Sequence, residues 1–160
     1  MNLDKATQER LINIVRQAGQ EIVMPNFRQL SAADVETKSS LTDLVTMADK
    51  ASEAFITKEI QHAFPDWDIV GEEAVAEDPS TTDNIATADT CVIIDPIDGT
   101  RAFITGMPAW GILLGLVDET GPCLGVMHQP YLGETFCAAR GLTANLRHAG
   151  HQPPLATRAY

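Results

Sequence analysis

The feature that most constrains the fold of this chain is a short apolar run that leads directly into two aspartates. Residues 91–96 read CVIIDP and residues 95–100 read DPIDGT. A continuous apolar run of this length predicts a strand that is buried on both faces, inside a sheet. Two carboxylates at the end of such a strand repel each other unless a cation or a proton lies between them. The sequence therefore predicts a buried strand that ends in an acidic site.

Composition is typical of an acidic globular domain. The chain has 160 residues, of which 44% are hydrophobic and 21% are charged, and its formal net charge is −11. This size and balance fit one domain of ordinary size. There is no cluster of Lys and Arg residues, which argues against nucleic acid as the main partner. A small phosphorylated ligand remains compatible with the negative charge if it binds through a metal ion.

Neither the cysteines nor the N-terminus indicates secretion. The three cysteines are widely spaced and form no C-x-x-C motif, which predicts free thiols in a reducing compartment. The first residues, MNLDKATQERL, are charged and do not resemble a signal peptide. The longest apolar run, residues 110–117, is too short to span a bilayer. We therefore expect a cytoplasmic protein that does not contact a membrane.

The spacing of apolar residues predicts a mixture of helices and strands. In chain order we expect an amphipathic helix at 3–24 ended by Pro25, a loop or short hairpin at 28–43, a second helix at 46–64, a short strand within 66–73, a polar loop at 76–90, a strand at 91–96, a short helix after Gly99, and a β-meander from 110 to 140. The tail after residue 140 shows no clear element. We expect one α/β domain at 1–145 and an irregular tail at 146–160.

Acidic residues gather where the predicted strands end. Glu72 and Glu73 follow the first predicted strand, and Asp95 and Asp98 follow the buried one. A lone D-x-x-D pair is usually a solvated turn, but its combination with a buried strand and an upstream GEE is much more specific. Carboxylate oxygens suit hard cations such as Mg²⁺, Mn²⁺ or Ca²⁺.

The turn between the aspartates adds groups that could hold a phosphate. Pro96 stiffens the turn, which could present both aspartates and the Ile97 carbonyl to a metal ion. Gly99 allows the backbone to approach a ligand closely. The amides of Gly99 and Thr100, at the start of a predicted helix, would face an anion such as phosphate. Together these groups indicate metal-assisted transfer of a phosphoryl group to water.

At this point the chain resembles a known family. The segments KSSLTDLVTMAD at 38–49, GEE at 71–73 and DPIDGT at 95–100 are similar, in this order, to segments of the inositol monophosphatase family of Mg²⁺-dependent, lithium-sensitive phosphatases. The resemblance implies an α/β fold, an α+β layered sandwich of the inositol monophosphatase and fructose-1,6-bisphosphatase type. It also implies two or three Mg²⁺ ions, with Mn²⁺ as an alternative, a small phosphorylated substrate, and a homodimer as a common assembly.

The resemblance implies ligands for the metal ions. Glu72 would bridge metals, Asp95 and the Ile97 carbonyl would bind one ion, and Asp98 would bind a second. Residues in supporting positions would be Lys38, Asp43 and Glu73.

The resemblance also implies catalytic and substrate-binding roles. Asp49 and Thr100 would orient the attacking water, which Glu72 would help to activate through a metal ion. The substrate phosphate would lie against a set of groups at the same turn, namely Glu72, Ile97, Asp98, Gly99 and Thr100.

Within the family, two segments favour one branch. DGTRAFITGMPAWGILLGLV and GVMHQPYLGE are similar to segments of the branch that includes the histidinol-phosphate phosphatases. Arg101 follows the DGT where inositol phosphatases more often carry Thr-Asn-Phe. The pattern favours histidinol phosphate as substrate, with inositol 1-phosphate and an adenosine bisphosphate as alternatives.

The chain also departs from the family pattern. It contains no motif of the W-D-x-A-A-G type, whose Asp is the remaining metal ligand in family members. The chain therefore resembles an N-terminal half, and we expect one sheet face to expose apolar surface. A second function class follows, in which the chain is a non-catalytic remnant that binds a metal ion or a partner.

Overall fold

Our computed structural model describes residues 3–37 and 44–148. This part of the chain contains six α-helices and eight strands. The helices are α1 (Lys5–Ala18), α2 (Met24–Asn26), α3 (Met47–Ala63), α4 (Glu72–Glu77), α5 (Asp83–Thr87) and α6 (Thr100–Ile104). The strands are β1 (Val35–Thr37), β2 (Leu44–Thr46), β3 (Asp68–Gly71), β4 (Thr90–Asp98), β5 (Gly111–Asp118), β6 (Gly121–Gln129), β7 (Glu134–Ala139) and β8 (Asn145–His148).

One six-stranded sheet organises the molecule, in the order β3-β4-β5-β6-β7-β8. Only β3 and β4 pair in parallel within it, and the later strands form an antiparallel meander. Strands β1 and β2 form a separate antiparallel hairpin. Because Gly71 pairs with Ile94, the carboxyl ends of β3 and β4 lie side by side at one edge of the sheet.

Helices α1 and α3 cover one face of the sheet and enclose the core. Leu11, Val15 and Ile56 on the helices are fully buried, as are Ile112 and Leu116 on β5. The structure thus confirms the predicted layered mixture of helix and sheet. The opposite face is less covered, since an open apolar groove runs along it, lined in part by Leu113, Met127 and Phe136.

Several predicted elements are confirmed within a residue or two. The second helix runs from Met47 to Ala63, with Thr46 as its N-cap. The helix after Gly99 is α6, the meander is β5 to β7, and the polar segment after residue 28 contains the hairpin β1–β2. Residues 38–43, which include Lys38 and Asp43, lie outside the described residues.

The sequence predicted that the first helix ends before Pro25, and this prediction was wrong. A π-helical turn, Gly19–Val23, follows α1, and the chain stays helical through Pro25 into α2. Pro25 lies in the first turn of α2, where the fixed φ of proline is compatible with a helix. Gly19 lies so close to β6 that an added Cβ would stand 2.7 Å from Pro130 and 2.9 Å from His128.

Two further predictions about irregular segments were wrong. The polar loop at 76–90 contains a 3₁₀ turn, Pro79–Thr82, and helix α5. The turn begins where the Asp78 carboxylate accepts a hydrogen bond from the Ser80 amide at 3.0 Å, which is an ordinary N-cap contact.

The tail contains a strand, although the sequence predicted no regular element there. Strand β8 pairs with β7, and Arg147 on β8 forms an ion pair with Glu9 on α1 at 2.6 Å. Strand β8 has four residues and only one large apolar side chain, Leu146, so its sequence shows too little periodicity to predict a strand. The pairing with β7 stabilises it. The proposed boundary between a domain and a tail stays a prediction, because residues 149–160 lie outside the described part.

The three cysteines are free, as predicted, and all three are buried. Among the described residues, no helix has the length and apolar character needed to cross a membrane.

Candidate active site

The two acidic segments meet because the strands that carry them are parallel neighbours. Glu72 follows β3 at once, and Asp95 lies one position beyond the Gly71–Ile94 pair on β4. Burial, the negative charge of Glu72 and a hydrogen bond with the Glu72 carboxylate, in this order of size, together raise the pKa of the Asp95 carboxyl to about 7. The structure therefore brings Glu72 and Asp95 together.

A one-residue bulge decides where the second aspartate points. Asp95 pairs with Leu113 and Asp98 with Gly111, so three steps along β4 match two along β5. Residues three apart in a regular strand point to opposite faces, but one extra residue returns them to the same face. Asp98 accordingly contributes to the raised pKa of Asp95, while the Ile97 side chain points into the core.

Asp95 also carries an unpartnered oxygen. Its Oδ1 atom is buried and accepts no hydrogen bond from the described residues. A buried carboxylate oxygen without a partner is costly, and carboxylates held together favour a bound cation. This observation fits a hard cation at Asp95, and the oxygen-only donor set of Glu72, Asp95 and Asp98 suits Mg²⁺ or Mn²⁺.

Among the described residues, the carboxylates at this turn are not gathered in threes around one point. Within residues 3–37 and 44–148, no three His, Cys, Asp or Glu side chains lie together as ligands. The predicted ligands therefore appear as neighbouring pairs around Asp95, and the Ile97 carbonyl is the further oxygen at this turn.

A second pair, Asp49 and Thr100, lies beside the acidic turn. The Thr100 hydroxyl lies 3.3 Å from Asp49 Oδ1 and 3.0 Å from the Ile97 carbonyl oxygen, and its single proton can be donated to either acceptor. Asp49 is almost fully buried in the first turn of α3, and burial raises its pKa. Its Oδ2 atom accepts hydrogen bonds from the amide and hydroxyl of Thr46. Asp49 is thus held with one oxygen towards Thr100.

Gly99 has a structural reason to be glycine. Its φ of 92° is left-handed, and a Cβ there would lie 2.8 Å from the Ala109 carbonyl oxygen. The left-handed backbone and the close carbonyl oxygen each disfavour a side chain at this position. They explain the glycine without any bound ligand. The predicted contact of Gly99 with a phosphate stays a prediction.

Sequence reasoning missed one buried acid at this site, Glu53. Its carboxylate accepts hydrogen bonds from the amides of Glu73 at 2.8 Å and Ala74 at 3.0 Å. A signal was present, because Glu53 lies four residues after Asp49 and therefore on the same face of α3. That face also carries Ile56 and Ile60, both fully buried, and a carboxylate in such a row needs a partner.

Comparison with known proteins agrees with this geometry. A family model described as the inositol monophosphatase family matches residues 5–159. A protein of Aquifex aeolicus named fructose-1,6-bisphosphatase/inositol-1-monophosphatase is 32% identical over 146 residues, which cover 83% of this chain and 52% of that protein. A histidinol-phosphatase of Chlorobaculum parvum is 43% identical over 97 residues, or 61% of this chain and 35% of that protein.

The fold comparison gives the same result. The structure of the Thermotoga maritima IMPase matches with a TM-score of 0.76 and 33% identity, over 88% of this chain and 51% of that one. This chain spans about half the length of the curated relatives it matches, as expected for the N-terminal part of their fold.

Proposed function

Because this chain belongs to the inositol monophosphatase family, we propose that it carries the metal-binding and water-orienting part of a Mg²⁺-dependent phosphomonoester hydrolase. The observation that carries this proposal is the contact between Thr100 and Asp49, next to a buried Asp95 oxygen without a partner among the described residues. Metal-assisted hydrolysis uses groups that accept a proton from water, here Thr100 and Asp49, and a carboxylate that can bind a cation, here Asp95.

The metal ions would be held at the ends of β3 and β4. Glu72, Asp95 and the Ile97 carbonyl would hold one ion, and Asp98 together with Glu72 would hold a second. When bound, Mg²⁺ supplies positive charge that neutralises the phosphate and lowers the pKa of water. The chain's own contribution is to keep these oxygens on one face of the sheet, which the bulge after Asp95 achieves.

Asp49 and Thr100 would take part in the proton transfer. The Thr100 hydroxyl would accept the proton of the attacking water while it gives its own proton to Asp49 Oδ1. Burial raises the pKa of Asp49, which makes its carboxylate a better proton acceptor. The bonds from Thr46 to the other oxygen, Oδ2, leave Oδ1 directed at Thr100.

The substrate we favour is histidinol phosphate. The histidinol-phosphatase of Chlorobaculum parvum shares 43% identity over 97 residues, a higher fraction than the 32% shared with the fructose-1,6-bisphosphatase/inositol-1-monophosphatase of Aquifex aeolicus over a longer segment. Inositol 1-phosphate and an adenosine bisphosphate are the alternatives.

A second candidate is a non-catalytic chain that binds a metal ion or a partner. It is favoured by the half-length match to the relatives and by the open apolar groove on the sheet. In this case metal binding would persist without turnover.

The test is phosphate release by the 160-residue chain from histidinol phosphate and from inositol 1-phosphate, with and without Mg²⁺. We expect Mg²⁺-dependent release that Asp98→Asn abolishes and that Thr100→Ala lowers on the order of 100-fold, while Thr100→Ser retains most of it. Release without Mg²⁺, or full activity of Asp98→Asn, would contradict the proposal. A folded chain that binds Mg²⁺ without releasing phosphate would favour the non-catalytic candidate.

A further inference from the structure

Glu53 makes an unusual contact between α3 and the start of α4. Glu53 as a residue is 7% exposed. Its Oε2 atom accepts the Glu73 amide at 2.8 Å and its Oε1 atom accepts the Ala74 amide at 3.0 Å. The first amides of a helix have no partner within the helix, so this carboxylate from another helix satisfies two of them at once.

Gly71 makes room for this carboxylate. A Cβ on Gly71 would lie 2.2 to 2.5 Å from the carboxyl carbon and both oxygens of Glu53. The backbone of Gly71 has φ −101° and ψ 153°, which any residue adopts. Glycine is therefore needed at this position for space and not for conformation, which explains the first letter of the GEE segment.

These two contacts enclose Glu72. Gly71, the residue before Glu72, packs against the Glu53 carboxylate. The amides of Glu73 and Ala74, the two residues after Glu72, donate hydrogen bonds to the same Glu53 carboxylate. Between them, Glu72 interacts with the buried Asp95. We propose that Glu53 is a positioning residue that holds the backbone of Glu72 so that the Glu72 carboxylate faces Asp95 across the metal site. This proposal rests on the proposed function, in which Glu72 is a metal ligand.

The position of Glu53 on α3 gives the contact a wider consequence. Asp49, the partner of Thr100, lies one helical turn before Glu53 on the same face. One rigid helix therefore holds both the water-orienting pair and the metal-bridging turn. A shift of α3 would move both parts of the site together.

Two simpler explanations must be separated from positioning. Glu53 could stabilise the fold as an ordinary helix cap, or it could attract a cation through its negative charge alone. Gly71→Ala separates the charge effect, because it keeps every carboxylate and only displaces Glu53. Ile60→Val separates the stability effect, because it weakens the buried face of the same helix away from the site. Glu59→Gln, at a partly exposed position of α3, controls for loss of one negative charge.

The experiment measures the dissociation constant of Mn²⁺ by electron paramagnetic resonance in the 160-residue chain. We expect the constant to rise about 10-fold in Glu53→Ala, in Glu53→Gln and in Gly71→Ala, as is usual when a residue that orients a metal ligand is lost. Ile60→Val and Glu59→Gln should stay within about 2-fold of the unmodified chain, which would exclude stability and net charge as causes. The double variant Gly71→Ala/Glu53→Ala should bind Mn²⁺ no more weakly than Glu53→Ala, because removing the carboxylate removes the clash.

A second measurement, independent of metal, is hydrogen exchange at the amides of Glu73 and Ala74. Exchange should be faster in Glu53→Gln and Gly71→Ala than in Glu59→Gln. Unchanged exchange, or Mn²⁺ affinity unchanged in Gly71→Ala, would overturn the positioning role. If the unmodified chain binds no Mn²⁺, the proposed function fails. The positioning of a metal ligand by Glu53 is then overturned as well. The exchange rates would report only whether Glu53 orders the turn at Glu73 and Ala74.

Discussion

His128 is a buried imidazole that the proposed chemistry does not use. Its Nδ1 atom lies 2.9 Å from the Glu134 carbonyl oxygen and 3.0 Å from the Thr135 hydroxyl. A carbonyl only accepts, so Nδ1 carries the proton. The other nitrogen, Nε2, is buried and has no partner among the described residues. Burial lowers the pKa of His128 to about 4, so the ring is neutral at physiological pH.

This pKa predicts a loss of stability in mild acid. The unfolded chain takes up a proton near the ordinary value of 6.5, and the folded chain does so only near 4. The unfolded state therefore binds more protons between these values, and stability falls as the pH drops from about 6.5 to 4. From about 1.4 kcal/mol per pKa unit, the contribution is on the order of 3 kcal/mol. Urea unfolding at a series of pH values measures it.

The control for this prediction is a pair of matched substitutions. Asp95 and Asp49 have raised pKa values and contribute with the opposite sign, so only the difference between variants isolates His128. His128→Asn keeps a donor near the Glu134 carbonyl, and its stability should fall less steeply with acid. His62→Asn, on the exposed side of α3, should follow the unmodified chain. Parallel curves for His128→Asn and the unmodified chain would refute the assignment.

At the scale of elements, the start of α3 links helix stability to the site. The Thr46 hydroxyl accepts the Ala48 amide at 3.1 Å, and the Asp49 carboxylate accepts the Thr46 amide at 2.9 Å. This reciprocal capping box ends β2 and begins α3. The residue that caps the helix therefore also holds the carboxylate that faces Thr100.

Removing this cap should destabilise the chain measurably. Thr46→Ala loses the side-chain bonds to Ala48 and Asp49, and we expect a loss of about 1 to 2 kcal/mol in the free energy of unfolding. Thr46→Ser keeps the hydroxyl and should lose only a few tenths of a kcal/mol. Urea unfolding at constant pH compares the two. Equal losses for Ala and Ser would show that the methyl packing of Thr46 matters more than the cap.

At the scale of the whole molecule, the two faces of the sheet differ. Leu114 is 2% exposed and belongs to the core, whereas its neighbour Leu113 is only partly buried and lines the open apolar groove. The chain also spans about half the length of its curated relatives. An apolar sheet face of this kind is ordinarily a contact surface.

Two neighbouring leucines on β5 test this difference. Leu114→Ala should cost about 2 to 5 kcal/mol of unfolding free energy, as is typical of a cavity in a packed core. Leu113→Ala should cost less, about 1 kcal/mol, because Leu113 is only partly buried and lines the open groove. Urea unfolding at low protein concentration measures both. Similar costs would mean that the second face is covered in solution, and sedimentation at rising concentration would then show self-association.

Local chemistry made much of this molecule predictable. Three signals depend on interactions within a few residues: the apolar run before Asp95, the proline after α3, and the apolar runs and turns of the meander. The elements that they predict lie within a residue or two of the observed bounds. The family was also predictable, because the GEE and DPIDGT segments are short, ordered and specific. Two of the elements that were missed have contacts far along the chain: Gly19 in the π-helical turn packs against His128, and Arg147 on β8 pairs with Glu9 on α1.

The sequence by itself thus determined the long helix α3, the meander and the identity of the acidic residues, since periodicity and turn chemistry are local properties. Only the tertiary structure decided how those acids face one another. The parallel pairing of β3 with β4 brings Glu72 to Asp95, and the bulge turns Asp98 to the same face. The packing of α3 brings Asp49 to Thr100 and Glu53 to the amides after Glu72. These contacts join residues 20 to 51 positions apart, and no spacing along the chain specifies a distance across it.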